Sequence, residues 1–492
     1  MSVSIREKIE KGMIHRSPTV VEWSIYGLCC LIVMVTMYYT DNYAIFVDAI
    51  HHIDALVNGV SLDLLGINSL PYGVIHQWIV EIWSLPVCIC HYALGLEYSS
   101  AVAIIWYKLC IVFFGALCII EFKKLCHSFG MDEGQIRWMV FLLCSNILVF
   151  LSVFHIAQTD VLYLFLILKG YTAYINHDKK KFVICFMLAN AFKFISIFIF
   201  IPLVLLSEKK VYKILCSLIV GGLIIPIQQI WYRIVNVLGK IVFPPINDLP
   251  TNNIVENAIA SSGERVGAMN NFYSRVFDNM LYIEFPGVRK EFSASFMIFI
   301  FALICLWCYI KSSNDDIKNE ESILVINAVL LLFFLSTSPN PYWIILLYPF
   351  LYLAIFTCTN AIKMQLMLEK IFTCSLFLSY VMSTYWVFGG AQTFDGLVLN
   401  KLGICKYTHY LQGEPNIAGY LNKININVFM PVVTAVCLAA AIGMLYVLYN
   451  KETINERLTN KENVYICRAN IWTNLLLIVF WFASNVVLLR KY

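Results

Sequence analysis

Asp41-Asn42-Tyr43 stands directly after the first long apolar run. A carboxylate there can take a proton from a hydroxyl held at the membrane boundary. Asp48 follows in the same segment and suits the same task, with His51, His52, Asp54 and Asp63 beyond it. Neighbouring residues on a helix diverge by about 100°, so His51 and His52 are not expected to share a metal. Asp54 and Asp63 read as solvated loop residues. A second cluster, His155-Ile156-Ala157-Gln158-Thr159-Asp160, places three groups able to hydrogen-bond or ligate between two apolar runs. The plainer reading of Asp160 is a carboxylate favoured by the dipole of the helix it opens, which leaves His155 and Gln158 idle. A third cluster is Ser336-Thr337-Ser338-Pro339-Asn340-Pro341-Tyr342-Trp343. Its prolines free backbone N–H groups, and Tyr342 and Trp343 suit a sugar or phosphate at an interface; a simple turn accounts for it equally well. Cations complete the set: Lys193 alone inside an apolar run, and Arg233, Arg265, Arg275, Arg289 and Lys290 in one long polar stretch.

The elements that would position these groups are membrane helices. Of 492 residues, 60% are hydrophobic and only 13% are charged, about half the charge that a solvated surface carries. Most of this surface therefore faces lipid, which excludes a soluble enzyme. A net charge of +4 gives no reason to expect a nucleic-acid partner. The 17 cysteines are scattered through apolar runs, as small buried hydrophobes are, and show no disulfide spacing. The first apolar run is long enough to span and lacks a small-residue cleavage site, so no cleavable signal peptide is expected.

Spans are expected at about 20–39, 101–121, 138–155, 160–176, 183–206, 212–232, 292–310, 321–337, 342–359, 372–388, 428–449 and 471–489. Arg6, Lys8, Lys11 and Arg16 precede the first, and no further lysine or arginine occurs before Lys108, so the segment 40–100 is placed outside. The stretch 183–206 has basic residues at both ends, Lys179 to Lys181 before it and Lys209, Lys210 and Lys213 after it. A single crossing would move the basic loop 450–469 outside. A broken hairpin turning near Lys193 and Phe194 keeps every basic loop inside, and it explains a lysine whose exposure to lipid would cost roughly 2.5–3.5 kcal/mol. The expected fold is an all-α polytopic membrane protein with about 11–13 transmembrane helices and amphipathic surface helices in the first extracytoplasmic loop, including 73–83. The expected organisation is a cytoplasmic tail (1–19), a transmembrane module (20–360) with outer loops 40–100, 155–160 and 233–291, and a C-terminal transmembrane module (361–492) with outer loop 389–427. There is no internal repeat of the transporter kind.

In this order of features, with Pro71-Tyr72-Gly73 in the first loop, Ala157-Gln158-Thr159-Asp160 after the third span, Ala191-Phe192-Lys193 followed by Pro202, and a late Pro341-Tyr342-Trp343, the chain resembles the polytopic glycosyltransferases of the C superfamily, mannosyltransferase-like branch. The likeness covers about residues 15–360, and Ala157 stands where that branch has glycine. The resemblance implies inverting transfer of a sugar from a polyprenyl-phosphate donor to a hydroxyl of a glycan, lipid-linked or protein acceptor, on the extracytoplasmic side. It makes Asp41 the general base with Asp48 its rival. Asp160, helped by His155 and Gln158, would bind the acceptor or a metal, and Tyr342 and Trp343 would line the donor or acceptor site. Lys193, Arg265, Arg275 and Arg289 would hold the donor phosphate. Some members need a divalent cation, but the acidic pair of those members is missing from the second loop, so no obligatory cofactor is expected. Membrane lipids are partners, and the Lys, Ile, Asn and Cys usage points to a bacterial plasma membrane and a cell-envelope polysaccharide product. Two other classes stay open: a flippase or transporter of lipid-linked saccharides, and an O-antigen-type polymerase or ligase working through outer-loop arginines.

Overall fold

The computed structural model describes residues 18–36, 46, 49–50, 53, 74–98, 100–193, 195–228, 230–231, 234, 282–283, 294–311, 315–337, 340–359, 361–383, 417–450 and 460–490. The described chain is helical apart from one two-stranded antiparallel ribbon, β1 (Tyr282–Ile283) with β2 (Ala294–Ser295). Each of the twelve apolar runs contains helix. Five helical runs among the described residues are long and apolar enough to cross a membrane: Val102–Ser128, Val211–Gln228, Asn319–Ser336, Ile426–Tyr449 and Val464–Val487. The chain is thus an all-α polytopic membrane protein.

The first half contains α1 (Val20–Thr36), α2 (Val74–Leu94), α3 (Ala101–Ser128) and α4 (Glu133–Ser145). After α4 the direction changes by 63° into α5 (Ile147–Phe150), which continues as a π-helical turn, Leu151–His155. Asn146 causes the break. Its Oδ1 accepts hydrogen bonds from the N–H groups of Leu148 and Val149 at 3.0 and 3.4 Å, capping α5 where α4 would otherwise have continued. Then come α6 (Asp160–Ile175), α7 (Lys179–Phe192), α8 (Ser196–Ser207) and α9 (Val211–Gly222).

Helices α7 and α8 form the hairpin that the charge pattern requires. Lys179 at the start of α7 pairs with Glu208 just past the end of α8, so both basic ends lie on one side. Phe200 of α8 packs on Phe182 and Phe186 of α7 at ring separations of 5.3 and 5.4 Å. Two glycines let neighbours close on this hairpin. A Cβ on Gly170 of α6 would meet the Phe186 ring at 2.9 Å, and one on Gly221 of α9 would meet the Phe200 ring at 2.3 Å.

The second half comprises α10 (Phe296–Ile310), α11 (Asp315–Ser336), a 3₁₀ turn (Pro341–Leu346), α12 (Tyr348–Thr357), α13 (Ile362–Ser383), α14 (Ile417–Lys423), a 3₁₀ turn (Ile426–Phe429), α15 (Met430–Tyr449) and α16 (Asn460–Arg490). Helices α13 and α16 start earlier than their apolar runs suggest. Arg468, expected in a loop, lies in α16 and donates to Glu22 of α1 at 2.8 Å. The start of α16 therefore lies on the same side as the start of α1, as the positive-inside argument demands.

Helix α2 is amphipathic, as expected of 73–83. His76, Gln77 and Ser84 are buried against protein, while Trp78, Ile82, Leu85, Ile89 and Tyr92 form an exposed apolar stripe. Trp83 and Trp106 fix it to α3 by donating reciprocally to each other's carbonyls at 2.9 and 2.7 Å.

Candidate functional site

The segment His155 to Asp160 is sealed inside the protein, with His155, Thr159 and Asp160 fully buried. Its backbone is built from the π-helical turn, in which Ile156 N–H reaches Leu151 and Gln158 N–H reaches Ser152 at 2.8 and 3.1 Å. To close this reversal Ala157 takes φ +54°, a left-handed conformation that glycine adopts freely and alanine does not. The glycine of the resembled motif falls at this position.

Asp160 then opens α6, but its side chain does not cap the helix. One carboxylate oxygen accepts a hydrogen bond from Lys193 Nζ, and the other, also buried, has no hydrogen-bond partner. Lys193 sits at the tip of the α7–α8 hairpin in extended backbone (φ −150°, ψ 142°). The tip is tied down by polar contacts: Ser196 Oγ donates to Asn190 Oδ1 at 2.6 Å, Asn190 Nδ2 to Gly221 O at 3.0 Å, and Gln228 Nε2 to Ala191 O at 3.0 Å. With a side-chain exposure of 5% for Lys193 and 0% for Asp160, this is a buried ion pair.

Aromatic rings wall the cation. Lys193 Nζ lies 4.5 Å from the Trp343 ring centroid and 5.5 Å from that of Tyr163. Tyr163 follows Asp160 by three residues and so shares its helix face. Trp343 is delivered by the Pro341–Leu346 turn and stacks on Phe333 of α11. Beside it Tyr342 accepts a 2.7 Å bond from Asn340 Nδ2. His155 meets Trp481 of α16 edge-on at 4.8 Å, and His76 of α2 meets Phe192, next to Lys193, at 5.9 Å. A desolvated cation over aromatic faces gains about 2 kcal/mol, which helps hold a lysine that burial otherwise disfavours.

The pair lies deep. Cys118 Sγ of α3 donates to Val161 O at 3.2 Å, which sets Asp160 about 25 Å of helix from the α3 start at Ala101. From Lys179 to Lys193 the hairpin rises about 21 Å. The pair therefore lies along the middle of α3 and at the far end of α7 from its basic start.

Of the residues singled out by sequence, the structure gathers Lys193, Asp160 and Trp343, with His155, Gln158 and Tyr342 in the adjoining segments. Asp41, Asp48, Arg265, Arg275 and Arg289 lie outside the described residues. Sequence reasoning missed Tyr163 and His76. It also passed over Lys108 of α3, which is buried with an Nζ that has no hydrogen-bond partner, ten residues before Cys118 in the helix. Only the spacing of Tyr163 from Asp160 could have signalled its role. Among the described residues no three His, Cys, Asp or Glu side chains gather as metal ligands, and every described cysteine is free.

No family model matches the chain, and no curated protein matches it. Among solved structures it is similar to ArnT from Cupriavidus metallidurans bound to undecaprenyl phosphate, with a TM-score of 0.35 and 12% identity, over 89% of this chain and 78% of that one.

Proposed function

We propose that the chain is an integral membrane glycosyltransferase that moves a sugar, with inversion, from a polyprenyl-phosphate donor to an acceptor hydroxyl. The observation that carries the reading is the buried Asp160–Lys193 pair at the hairpin tip, walled by Trp343 and Tyr163. Each part has a use in such a reaction. A desolvated ammonium stabilises the charge that develops on a departing phosphate, and it does so more strongly in a dry site than in water. The second Asp160 oxygen is free to accept a hydrogen bond from a sugar or acceptor hydroxyl. Flat aromatic faces suit the C–H faces of a sugar ring. Burial keeps water from intercepting the donor.

On this reading Asp41, or Asp48 in its place, is the general base that deprotonates the acceptor as it attacks the anomeric carbon. Such assistance is worth about 10²–10⁴-fold. Lys193 holds the donor phosphate with Arg265, Arg275 or Arg289, and no obligatory metal is involved. The donor sugar is a hexose, the acceptor a cell-envelope glycan, and the working face is the outer side of a bacterial plasma membrane.

The test is transfer from radiolabelled polyprenyl-phosphate sugar by the full chain in proteoliposomes, with and without a chelator. Asp41→Asn and Asp160→Asn should each lose more than about 100-fold while the protein is still inserted. Full activity in Asp41→Asn with a dead Asp48→Asn reassigns the base. Activity in both removes the class.

A second reading, a transporter of lipid-linked saccharide, draws on a different observation. Broken helices, here the 63° bend at Asn146 and the α7–α8 hairpin at Lys193, are how transporters build mid-membrane sites. The same vesicles separate the two: a transporter moves donor across the bilayer without cleaving it, and a transferase consumes donor in one compartment.

A further inference from the structure

Below the buried pair an apolar groove of ≈ 370 Å³ runs between α1, α3, the α5 π-turn and α6. Its inner wall is Phe154 of the π-turn and Val161 of α6, the immediate neighbours of His155 and Asp160, with Val153 beside them. Its floor on α3 is Gly115, where a Cβ would meet only Val153 at 3.9 Å. At the other end stand Trp23 and Lys123. Trp23 stacks on Phe141 at 4.2 Å, and Lys123 is exposed and makes no ion pair among the described residues, whereas its neighbour Lys124 is engaged by Glu121 at 2.7 Å.

We propose that this groove binds one acyl chain of an anionic phospholipid whose phosphate is held by Lys123. The mouth carries the side chains that mark headgroup level, a tryptophan and a lysine, at the helix ends that the positive-inside rule assigns to the cytoplasm. Beyond the mouth the walls are almost wholly hydrocarbon, which suits a lipid tail and offers nothing to a polar ligand. The single uncompensated cation selects an anionic headgroup over a zwitterionic one, by roughly fivefold for one basic residue near the surface. The phosphate end enters from the side opposite to the one proposed for the donor, so the lipid is a separate ligand from the polyprenyl substrate. Because the chain packs on the turn that bears His155 and Asp160, the bound lipid props the element that presents the candidate site.

The proposal concerns binding and stands apart from the transferase reading. Native mass spectrometry of the full chain, titrated with phosphatidylglycerol, phosphatidylcholine or polyprenyl phosphate, tests it. One phosphatidylglycerol should be retained about fivefold more tightly than phosphatidylcholine. Lys123→Glu should bring that ratio to one or below, as a surface change that leaves the helices intact. Gly115→Phe should lose both phospholipids by filling the groove, and Gly115→Ala, whose methyl fits beside Val153, should keep them. Equal retention of the two phospholipids by the unaltered chain overturns the role of Lys123. Displacement of phosphatidylglycerol by equimolar polyprenyl phosphate gives the groove to an isoprenoid and also overturns the proposal.

Discussion

Among the described residues two carboxylates, Glu369 and Asp160, are completely buried, and they are held in different ways. Glu369 of α13 receives three hydrogen bonds on one oxygen, from Asn146 at 3.0 Å, Tyr352 at 3.1 Å and Thr373 at 2.7 Å. Its neighbour Lys370 stands 3.7 Å from the other oxygen and donates to Asn474 of α16, which donates in turn to Ser145 Oγ of α4 at 3.3 Å. Neutral donors from the helix break, α12 and α13 hold the charge, and the lysine links the cluster to α16. Each keeps its second oxygen without a hydrogen bond, but Asp160 has only the Lys193 ammonium on its first, between aromatic walls, and follows a left-handed residue by three positions. The first arrangement spends one oxygen on joining the helix break, α12 and α13 through neutral donors, and the second spends it on a cation at a hairpin tip. A cation walled by aromatic rings can be shared with an anionic ligand, whereas neutral donors that already join helices cannot be released without loosening the fold.

The largest effect should come from splitting the ion pair. Lys193→Met leaves the Asp160 carboxylate buried without a counter-charge, and stability should fall by about 3–5 kcal/mol. Removing both charges, as Lys193→Met with Asp160→Asn, should restore most of that loss, because the desolvation cost disappears with the charges. Denaturant titration in detergent reads the stability, and the proteoliposome assay reads transfer. The double variant should be folded and inactive, which separates a functional pair from a structural one. A double variant that transfers sugar at the original rate would make Asp160–Lys193 a staple of the Glu369 kind.

The converse experiment acts on Glu369. Glu369→Ala deprives Asn146, Tyr352 and Thr373 of their acceptor and should cost about 2–3 kcal/mol, with activity per folded molecule unchanged. Glu369→Gln keeps an acceptor oxygen at the same place and should cost about 1 kcal/mol. Loss of transfer in folded Glu369→Gln would extend the site to the second cluster and erase the contrast.

Much of this contrast could be read in the sequence only in pieces. The helices were legible because lipid demands long apolar runs. The hairpin was legible because lysines flank both ends of 183–206, a pattern that one crossing violates. Lys193 and Asp160 each drew notice, but their pairing depends on how the start of α6 meets the hairpin tip, and no local spacing encodes a contact between residues so far apart. Glu369 was hidden for another reason. The stretch Lys363-Met364-Gln365-Leu366-Met367-Leu368-Glu369-Lys370 is too polar to read as a span, yet α13 begins at Ile362 and buries Gln365 and Glu369 completely. His76 was hidden because an amphipathic pattern does not say whether its polar face meets water or protein.

The smallest effect tests the turn that gives Asp160 its position. Ala157 holds φ +54° with 1% of its surface exposed. Changing it to glycine removes a buried methyl, worth about 0.8 kcal/mol, and frees the unfolded chain, worth about 0.4–1 kcal/mol. It also releases a left-handed penalty of about 1–2 kcal/mol, so Ala157→Gly should be neutral to within about 1 kcal/mol. Ala441 is the control: it is also fully buried but lies inside α15, where the same change loses the methyl and helix propensity together and should cost about 1.5–2 kcal/mol. Equal losses at the two positions would mean that Ala157 carries no strain and that glycine offers this turn nothing. A neutral Ala157→Gly beside a costly Ala441→Gly would show the strain to be real, and Ala157→Val, which adds β-branching to a left-handed residue, should then fall below both.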